Sequence, residues 1–221
     1  MVNALSRRQL LVTAGAVGLA SCAGTRHNSA FWSTVTGTGS SETAASTRAY
    51  AESLPYASML FWIAGQSRSL IVLGTIGPDR RLTWVSPEKH EITTFGPFIV
   101  ATTGTEVELR QTNFGPGWGS DVRSLVGRKL ERDTLVVHKG KEATARLRST
   151  FHLAGHDSVK ILGKSYQLER IDESVVADDR VRLLNSYWVD PATGACRKTV
   201  QNALPTMQPV NTEILKFPTA A

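Results

Sequence analysis

The chain has 221 residues, and its 25 basic and 19 acidic side chains give a formal net charge of +6. This excess is mild and dispersed, so it gives little support to nucleic-acid binding, which usually involves a concentrated basic patch. It is compatible with weak attraction to anionic head groups or to an acidic polysaccharide. The length predicts one domain with a sizeable core.

The first 21 residues are arranged like a bacterial export signal. The arginine pair Arg7-Arg8 precedes an apolar segment over 10–20, and small residues then lead to Cys22. The apolar segment is too short for a transmembrane helix, which takes about 20 residues. The alternative interpretation is an ordinary secretory signal in which Cys22 is incidental.

Residues 19–22, Leu-Ala-Ser-Cys, resemble the lipobox of bacterial lipoproteins. The resemblance implies cleavage between Ser21 and Cys22, a diacylglyceryl thioether on Cys22 and acylation of the freed amine, so that acyl chains such as palmitate anchor the protein. Arg7 and Arg8 also match a twin-arginine export signal, although ordinary signals contain such pairs too. Ala23, in place of the aspartate that retains lipoproteins at the inner membrane, favours the periplasmic face of the outer membrane.

A tether and a short helix are predicted to follow the lipidated cysteine. Residues 22–46 are rich in Gly, Ser, Thr and Ala and bury too little apolar surface to offset the entropy of ordering them. Ser46 and Thr47 are expected to cap a short helix through Leu54, which Pro55 ends. Residues 47–221 form the predicted β-rich domain.

Strand-like runs separated by turn residues fill the rest of the chain. In the run 143–151, small or apolar residues alternate with polar ones, which indicates a strand with one dry and one wet face. We therefore predict an all-β fold, a large antiparallel meander that curls into a partly open barrel to hide its edges. The runs are 56–64, 69–74, 81–86, 91–94, 98–103, 107–112, 128–137, 143–153, 159–162, 164–171, 182–189, 195–201 and 210–215.

Histidines and carboxylates supply the candidate chemistry. His152 and His156 are the best metal candidates, but Gly155 indicates a strand end and turn, so exposed polar residues at a hairpin are the favoured interpretation and no metal site is predicted. His90 and His138 are interpreted as turn residues. Gly119-Ser120-Asp121 lacks the strand-turn-helix context of a nucleophilic serine.

Two acidic pairs, Asp172-Glu173 and Asp178-Asp179, are conceivable glycosidase carboxylates, but adjacent carboxylates in a solvated polar turn are the favoured interpretation. No catalytic residue is predicted.

Two other features have open interpretations. Cys196 is interpreted as a small buried hydrophobe, because lipidation uses the other thiol and no Cys or predicted His partner lies nearby. The glycine-rich loop Gly115 to Gly119, with Phe114 and Trp118, is either a mobile contact site for sugar rings or a partner, or a structural turn with buried aromatics.

Several short blocks, in matching order from Leu54 to Lys216, resemble the YjbF/GfcB family of lipoproteins, whose operons serve exopolysaccharide production and capsule export. The most specific block is Asn185-Ser186-Tyr187-Trp188-Val189-Asp190-Pro191-Ala192-Thr193-Gly194. In its turn, Asp190 is expected to accept backbone hydrogen bonds and Gly194 to adopt the left-handed conformation of a bulged hairpin. Gln201 also matches, but two departures stand out: Pro97, where an arginine is expected, and Lys198-Thr199-Val200-Gln201, where the family pattern is Arg-Ser-x-Gln. The other blocks are Leu54-Pro55-Tyr56-Ala57-Ser58, Leu73-Gly74, Trp84-Val85-Ser86, Thr94-Phe95-Gly96, Ala101-Thr102-Thr103-Gly104 and Glu213-Ile214-Leu215-Lys216.

The resemblance implies a partly open antiparallel barrel that is anchored by lipid on Cys22 and works as a non-catalytic component of polysaccharide secretion, with no cofactor. The implied partners are the outer membrane, other secretion proteins or the glycan itself, and no nucleic acid. Two alternatives are a carrier of lipid or lipoprotein with an apolar barrel cavity, and a glycan-cleaving enzyme that uses the acidic pairs.

Overall fold

The computed structural model describes residues 41–87, 89–178, 181–202 and 208–219. The predicted leader, its arginine pair, the lipidation and cleavage sites at Cys22 and Ser21, and residues 22–40 of the predicted tether lie outside this described part of the chain. Asp179 lies outside it too.

The described chain is one helix followed by strands, which confirms the all-β prediction. Twelve strands form a single antiparallel sheet that is nearly closed as a barrel. A short 3-10 helix, η1 (Val122–Leu125), interrupts them. The elements are α1 (Ser41–Ser53), β1 (Ser58–Ile63), β2 (Ser69–Ile76), β3 (Arg81–Val85), β4 (Glu91–Phe95), β5 (Phe98–Thr103), β6 (Val107–Phe114), β7 (Lys129–His138), β8 (Lys141–Ile161), β9 (Lys164–Ala177), β10 (Val181–Val189), β11 (Cys196–Gln201) and β12 (Val210–Lys216).

The sheet is a meander in which strands that follow one another in the chain lie side by side, and the first strand also pairs with the last. The order in the sheet is β5-β4-β3-β2-β1-β12-β11-β10-β9-β8-β7-β6, so the first strand pairs with the last and the two edge strands follow one another in the chain. At this seam, the Thr102 hydroxyl of β5 accepts a hydrogen bond from the Leu109 amide of β6 at 2.9 Å. A side chain therefore bridges the two edges where no backbone ladder forms.

One long strand was wrongly predicted as two. The runs 143–153 and 159–162 were expected as two strands, but they belong to the single strand β8 (Lys141–Ile161). The register against β9 shifts between Leu153 and Gly155 and then continues to the end of the hairpin. A bulge therefore accommodates the glycine and the polar residues that resembled a turn.

Alternating residues fill the barrel interior. One cluster is centred on Phe98, Phe151 and Tyr187, and another contains Met59 and Trp84. These five side chains are almost completely removed from solvent. Burial of this kind is the main source of stabilisation in such a fold, at about 25 cal/mol per Å² of apolar surface.

The end of the β8–β9 hairpin folds over the outer face of the sheet. There Trp188, whose neighbour Tyr187 points inward, packs with Ile161, Leu168 and Leu215. Its indole Nε1 donates a hydrogen bond to Asp157 Oδ2 at 2.8 Å. The hairpin end thus covers apolar surface that a flat sheet would leave in water.

Helix α1 also packs on the outer face. Ala51 is fully buried beside Leu60 and Leu70. Arg48 donates from Nε to the Leu162 carbonyl at 3.2 Å, and Lys216 donates to the Leu54 carbonyl. The prediction of a short N-terminal helix is confirmed, although the helix begins at residue 41 rather than 46. No helix in the described part of the chain is long and apolar enough to cross a membrane.

Candidate functional site

An apolar cavity of about 250 Å³ lies inside one end of the barrel. Strands β1, β3, β4, β11 and β12 supply its wall, and the turns at that end supply its rim. The lining residues are Met59, Leu82, Trp84, Thr94, Gly96, Pro97, Ser120, Val122, Gly194, Ala195, Cys196, Thr199, Thr212, Ile214, Phe217 and Pro218.

Two turn glycines hold the rim against the segment around η1. Gly96 has a φ of +55°, and a Cβ on it would lie 2.1 Å from the Ser120 carbonyl oxygen. Gly194 has a φ of +74°, and a Cβ there would lie 2.5 Å from Nη2 of Arg123. Gly96 therefore needs glycine for backbone conformation and for space, because the Ser120 backbone is fixed, whereas Gly194 needs it for backbone conformation.

The turn after β10 forms as the sequence predicts. Asp190 Oδ1 accepts hydrogen bonds from the amides of Ala192 at 3.0 Å and Thr193 at 3.3 Å. Burial alone would raise the pKa of Asp190. These bonds and the Arg197 guanidinium outweigh burial and hold that pKa below its ordinary value. Gly194 takes the predicted left-handed conformation, which places Ala195 and Cys196 in the cavity lining.

The polar groups in the cavity wall are already bonded to one another. Trp84 donates from Nε1 to Thr94 Oγ1 at 3.1 Å, deep in the wall. Thr199 and Thr212 share a hydroxyl hydrogen bond of 2.8 Å. The wall therefore offers a ligand mainly apolar contact.

Cys196 is half-buried in this wall rather than sealed in the core. Its thiol donates to the Lys198 carbonyl at 3.3 Å, and burial raises its pKa to about 12. The interpretation as a small buried hydrophobe is therefore confirmed in part, because the side chain packs against the interior cluster but also faces the cavity.

A buried carboxylate, Glu173, lies deeper in the barrel, where the sequence indicated a solvated turn. That prediction is wrong, because β9 continues to Ala177 and Glu173 is fully buried on its inner face. Arg132 forms an ion pair with it, and Ser149 donates a hydrogen bond to the same oxygen.

Strand β10 supplies the remaining partners of Glu173. Asn185 and Tyr187 donate to the second carboxylate oxygen at 2.8 and 2.7 Å. Burial alone would raise the pKa of Glu173, but Arg132 and the hydrogen bonds from Ser149 and Asn185 outweigh burial and lower the pKa below its ordinary value. Burial and the neighbouring Glu173 charge raise the pKa of Tyr187 well above its usual range. Glu173 is therefore an ionised, fully bonded structural carboxylate.

The acidic pairs do not converge on a cleft. Asp172 points to the outer face, where Ser186 donates to it at 2.8 Å, while Glu173 points inward. Asp178 is exposed at the end of β9 and accepts from the Arg146 amide at 3.2 Å. Neighbouring residues on a strand face opposite sides, so Asp172 and Glu173 cannot flank one bond.

The four histidines in the described part of the chain lie apart from one another. His152 and His156 are exposed, as expected, but they lie within β8 rather than at a hairpin turn. His90 lies in the turn before β4, and His138 ends β7. Within the residues that the structure describes, no three or more His, Cys, Asp or Glu side chains are grouped to hold a metal ion.

The glycine-rich loop is a structural turn with packed aromatics. Phe114 and Trp118 lie with ring centroids 4.7 Å apart, and Trp118 packs edge-on against Phe98 at 5.2 Å. The Trp118 indole also donates to the Glu131 carbonyl at 2.8 Å. These contacts agree with the interpretation of the loop as a structural turn rather than as a mobile contact site.

Gln201 has a role that sequence reasoning missed. From β11, its side chain accepts from the Ile99 amide at 3.1 Å and donates to the Pro97 carbonyl at 2.8 Å. The side-chain amide of Gln201 thus links β11 to the start of edge strand β5 and to the residue before it. In the sequence, Gln201 ends the run Lys198-Thr199-Val200-Gln201, and nothing in that pattern indicates a bond to a strand so far away in the chain.

Comparisons with known proteins agree with this architecture. A family model described as "Group 4 capsule polysaccharide lipoprotein gfcB, YjbF" matches residues 26–215. The chain is 27% identical to the uncharacterized lipoprotein GfcB of Escherichia coli (strain K12) over 168 residues, covering 75% of this chain and 78% of GfcB. The crystal structure of the hypothetical lipoprotein YmcC from Escherichia coli (K12) matches with a TM-score of 0.71 at 23% identity, covering 83% of this chain and 99% of YmcC. The YmcC likeness confirms the predicted fold.

Proposed function

The chain belongs to the YjbF/GfcB family of capsule polysaccharide lipoproteins, and from that premise we propose that it is a lipid-anchored accessory protein in the production or export of a capsular or extracellular polysaccharide. The family match carries the proposal, because it begins before α1 and extends into β12. It therefore covers the barrel as a unit rather than an isolated motif.

The proposed anchor is acyl lipid on Cys22, after cleavage behind Ser21. Ala23 supports a place at the periplasmic face of the outer membrane, and Arg7-Arg8 supports twin-arginine export. Fully extended chain between Cys22 and the start of α1 at Ser41 would reach at most about 65 Å. The barrel therefore stays within that distance of the membrane that holds it.

We propose that the protein acts by contact rather than by catalysis. Two observations support this role: Glu173 has a donor on each carboxylate oxygen, and Asp172 points away from it. The proposed partners are secretion proteins of the same envelope system or the glycan itself.

Deleting the gene and measuring surface polysaccharide tests the function. We expect the amount to fall in the deletion strain and to recover with the wild-type gene. The Cys22→Ser variant should fail to restore it, while Cys196→Ser, which changes the only other cysteine, should restore it. An unchanged amount in the deletion strain under producing conditions would contradict the proposed role.

Labelled palmitate tests the anchor separately. The label should enter the wild-type protein and Cys196→Ser, but not Cys22→Ser. Replacing Arg7 and Arg8 by lysine tests the export route, because a twin-arginine substrate should then accumulate unprocessed. Normal processing of that double variant would favour ordinary secretion.

A further inference from the structure

We propose that the cavity at the barrel end binds a single unbranched acyl chain. Chain binding at this site does not depend on the proposed role in polysaccharide export. The cavity wall is formed mainly by the apolar side chains of Met59, Leu82, Trp84, Val122 and Ile214.

The hydrogen bonding of the wall favours an apolar ligand. Four buried side-chain atoms in the described residues lack a hydrogen-bond partner, and they belong to Ser58, Thr112, Arg170 and Glu213. None of these residues lines the cavity. A polar ligand would lose its hydrogen bonds to water without gaining replacements from the wall, whereas an alkyl chain has no hydrogen bonds to lose.

The volume of the cavity limits how many carbon atoms of a ligand it can hold. A cavity of about 150 Å³ lined by aliphatic and aromatic side chains holds a benzene molecule. The larger volume here, about 250 Å³, accommodates roughly ten carbon atoms on the same scale. A single medium-length chain, or the terminal part of a longer one, fills it.

The rim favours a chain that enters from the end of the barrel. Gly96, Ser120, Ala195 and Phe217 at the rim keep partial or full exposure, while Met59 and Trp84 in the wall are almost completely buried. The Arg123 guanidinium lies against Gly194 at this rim. A fatty acid, with its carboxylate at the rim and its chain inside, is therefore the appropriate probe.

The length of the fatty acid provides the first test. The protein to use is the full chain with Cys22→Ser, which cannot carry the acyl group proposed for Cys22. Calorimetric titration with butanoate, hexanoate, octanoate and decanoate should show affinity rising by about fourfold per added methylene until the cavity is filled. Equal affinity along the series would overturn the proposal.

A cavity-filling variant and a matched control locate the site. Ala195→Phe puts a ring into the lining and should weaken decanoate binding by more than about tenfold, because it displaces several methylenes. Ala192→Phe makes the same change on the exposed side of the same turn and should leave the affinity unchanged. Equal decanoate affinity in the two variants would show that the acyl chain binds outside this cavity and would overturn the proposal.

Cys196 reports occupancy without any substitution in the wall. Its alkylation by N-ethylmaleimide, which the raised thiol pKa makes slow and which is therefore followed over hours on the Cys196 peptide by mass spectrometry, should slow a further several-fold with decanoate and not with acetate. This measurement keeps the proposal testable even if Ala195→Phe fails to fold. Unchanged alkylation at saturating decanoate would overturn it.

Discussion

Arg132 of β7 and Glu173 of β9 form an ion pair inside the barrel, and Ser149 of the intervening strand β8 bonds to both. The Arg132 guanidinium donates to Ser149 Oγ at 2.8 Å, and Ser149 donates in turn to the Glu173 carboxylate. Tyr187 of β10 adds a bond of 2.7 Å from the other side. One carboxylate thus connects side chains of four consecutive strands in the sheet.

We expect Arg132→Met to lower the free energy of unfolding by about 3–5 kcal/mol, because it leaves the Glu173 charge buried without its counter-ion. Urea unfolding measures this change. Adding Glu173→Gln to Arg132→Met should recover part of the loss, because the uncompensated charge is then absent. As a control, Arg146→Met, which breaks an exposed ion pair with Asp133, should have little effect. If Arg132→Met lowered the free energy of unfolding as little as Arg146→Met does, the buried ion pair would not be what holds these strands together.

Acid should weaken the fold through Glu173. Its pKa is lower in the folded protein than its ordinary value because Arg132 and its hydrogen bonds outweigh burial. Such a group stabilises the fold above its unfolded pKa, about 4.3, and the stabilisation is lost as the pH falls through the folded pKa. The free energy of unfolding should therefore fall as the pH drops below about 4. Glu173→Gln should show a shallower pH dependence in that window, and an identical profile would contradict the assignment.

Gln201→Ala should loosen edge strand β5. The change removes the partners of the Ile99 amide and the Pro97 carbonyl, which should cost about 1–3 kcal/mol. Hydrogen exchange at the Ile99 amide should accelerate more than exchange in the paired strands. Gln111→Ala, at an exposed glutamine of β6, is the control and should leave that amide protected. Unchanged exchange in Gln201→Ala would mean that other contacts hold β5 in place.

Gly96→Ala should destabilise the protein more than Gly163→Ala. Both glycines have positive φ, so alanine is strained by about 1–2 kcal/mol at either position. At Gly96 the new methyl also meets the Ser120 carbonyl, whereas at Gly163 nothing lies within 4 Å. Thermal unfolding should therefore give the lower Tm for Gly96→Ala. Equal Tm values would show that the rim moves freely away from η1.

Periodicity predicted the sheet well because most strands are short and end in turn residues. The strand that it divided wrongly, β8, contains Gly155 followed by His156, Asp157 and Ser158. Such a run is typical of a turn, yet here the polar residues lie on the outer part of a long hairpin, where they face solvent or bond to Trp188. Folding of that hairpin over the sheet depends on tertiary contacts that local pattern does not contain.

The Glu173 network had a weak signal in the sequence. Alternation from Ile171 through Val175 to Ala177 places Glu173 on the apolar face, and the same spacing places Arg132 between Leu130 and Thr134 in β7. Two charged residues on apolar faces indicate a buried pair, but pairing them requires the register of three strands. The cavity was equally hidden, because its lining comes from segments far apart in the chain.

The sheet is complete only when β12, the last strand in the chain, pairs with β1. Leu60 pairs with Glu213, so the first strand gains its second neighbour from the far end of the chain. Contacts this distant in sequence carry a large loop-closure entropy and make folding slow, on the order of milliseconds to seconds. A chain still emerging from a ribosome or translocon therefore holds β1 with a bare edge, open to mispairing, until its last strand arrives.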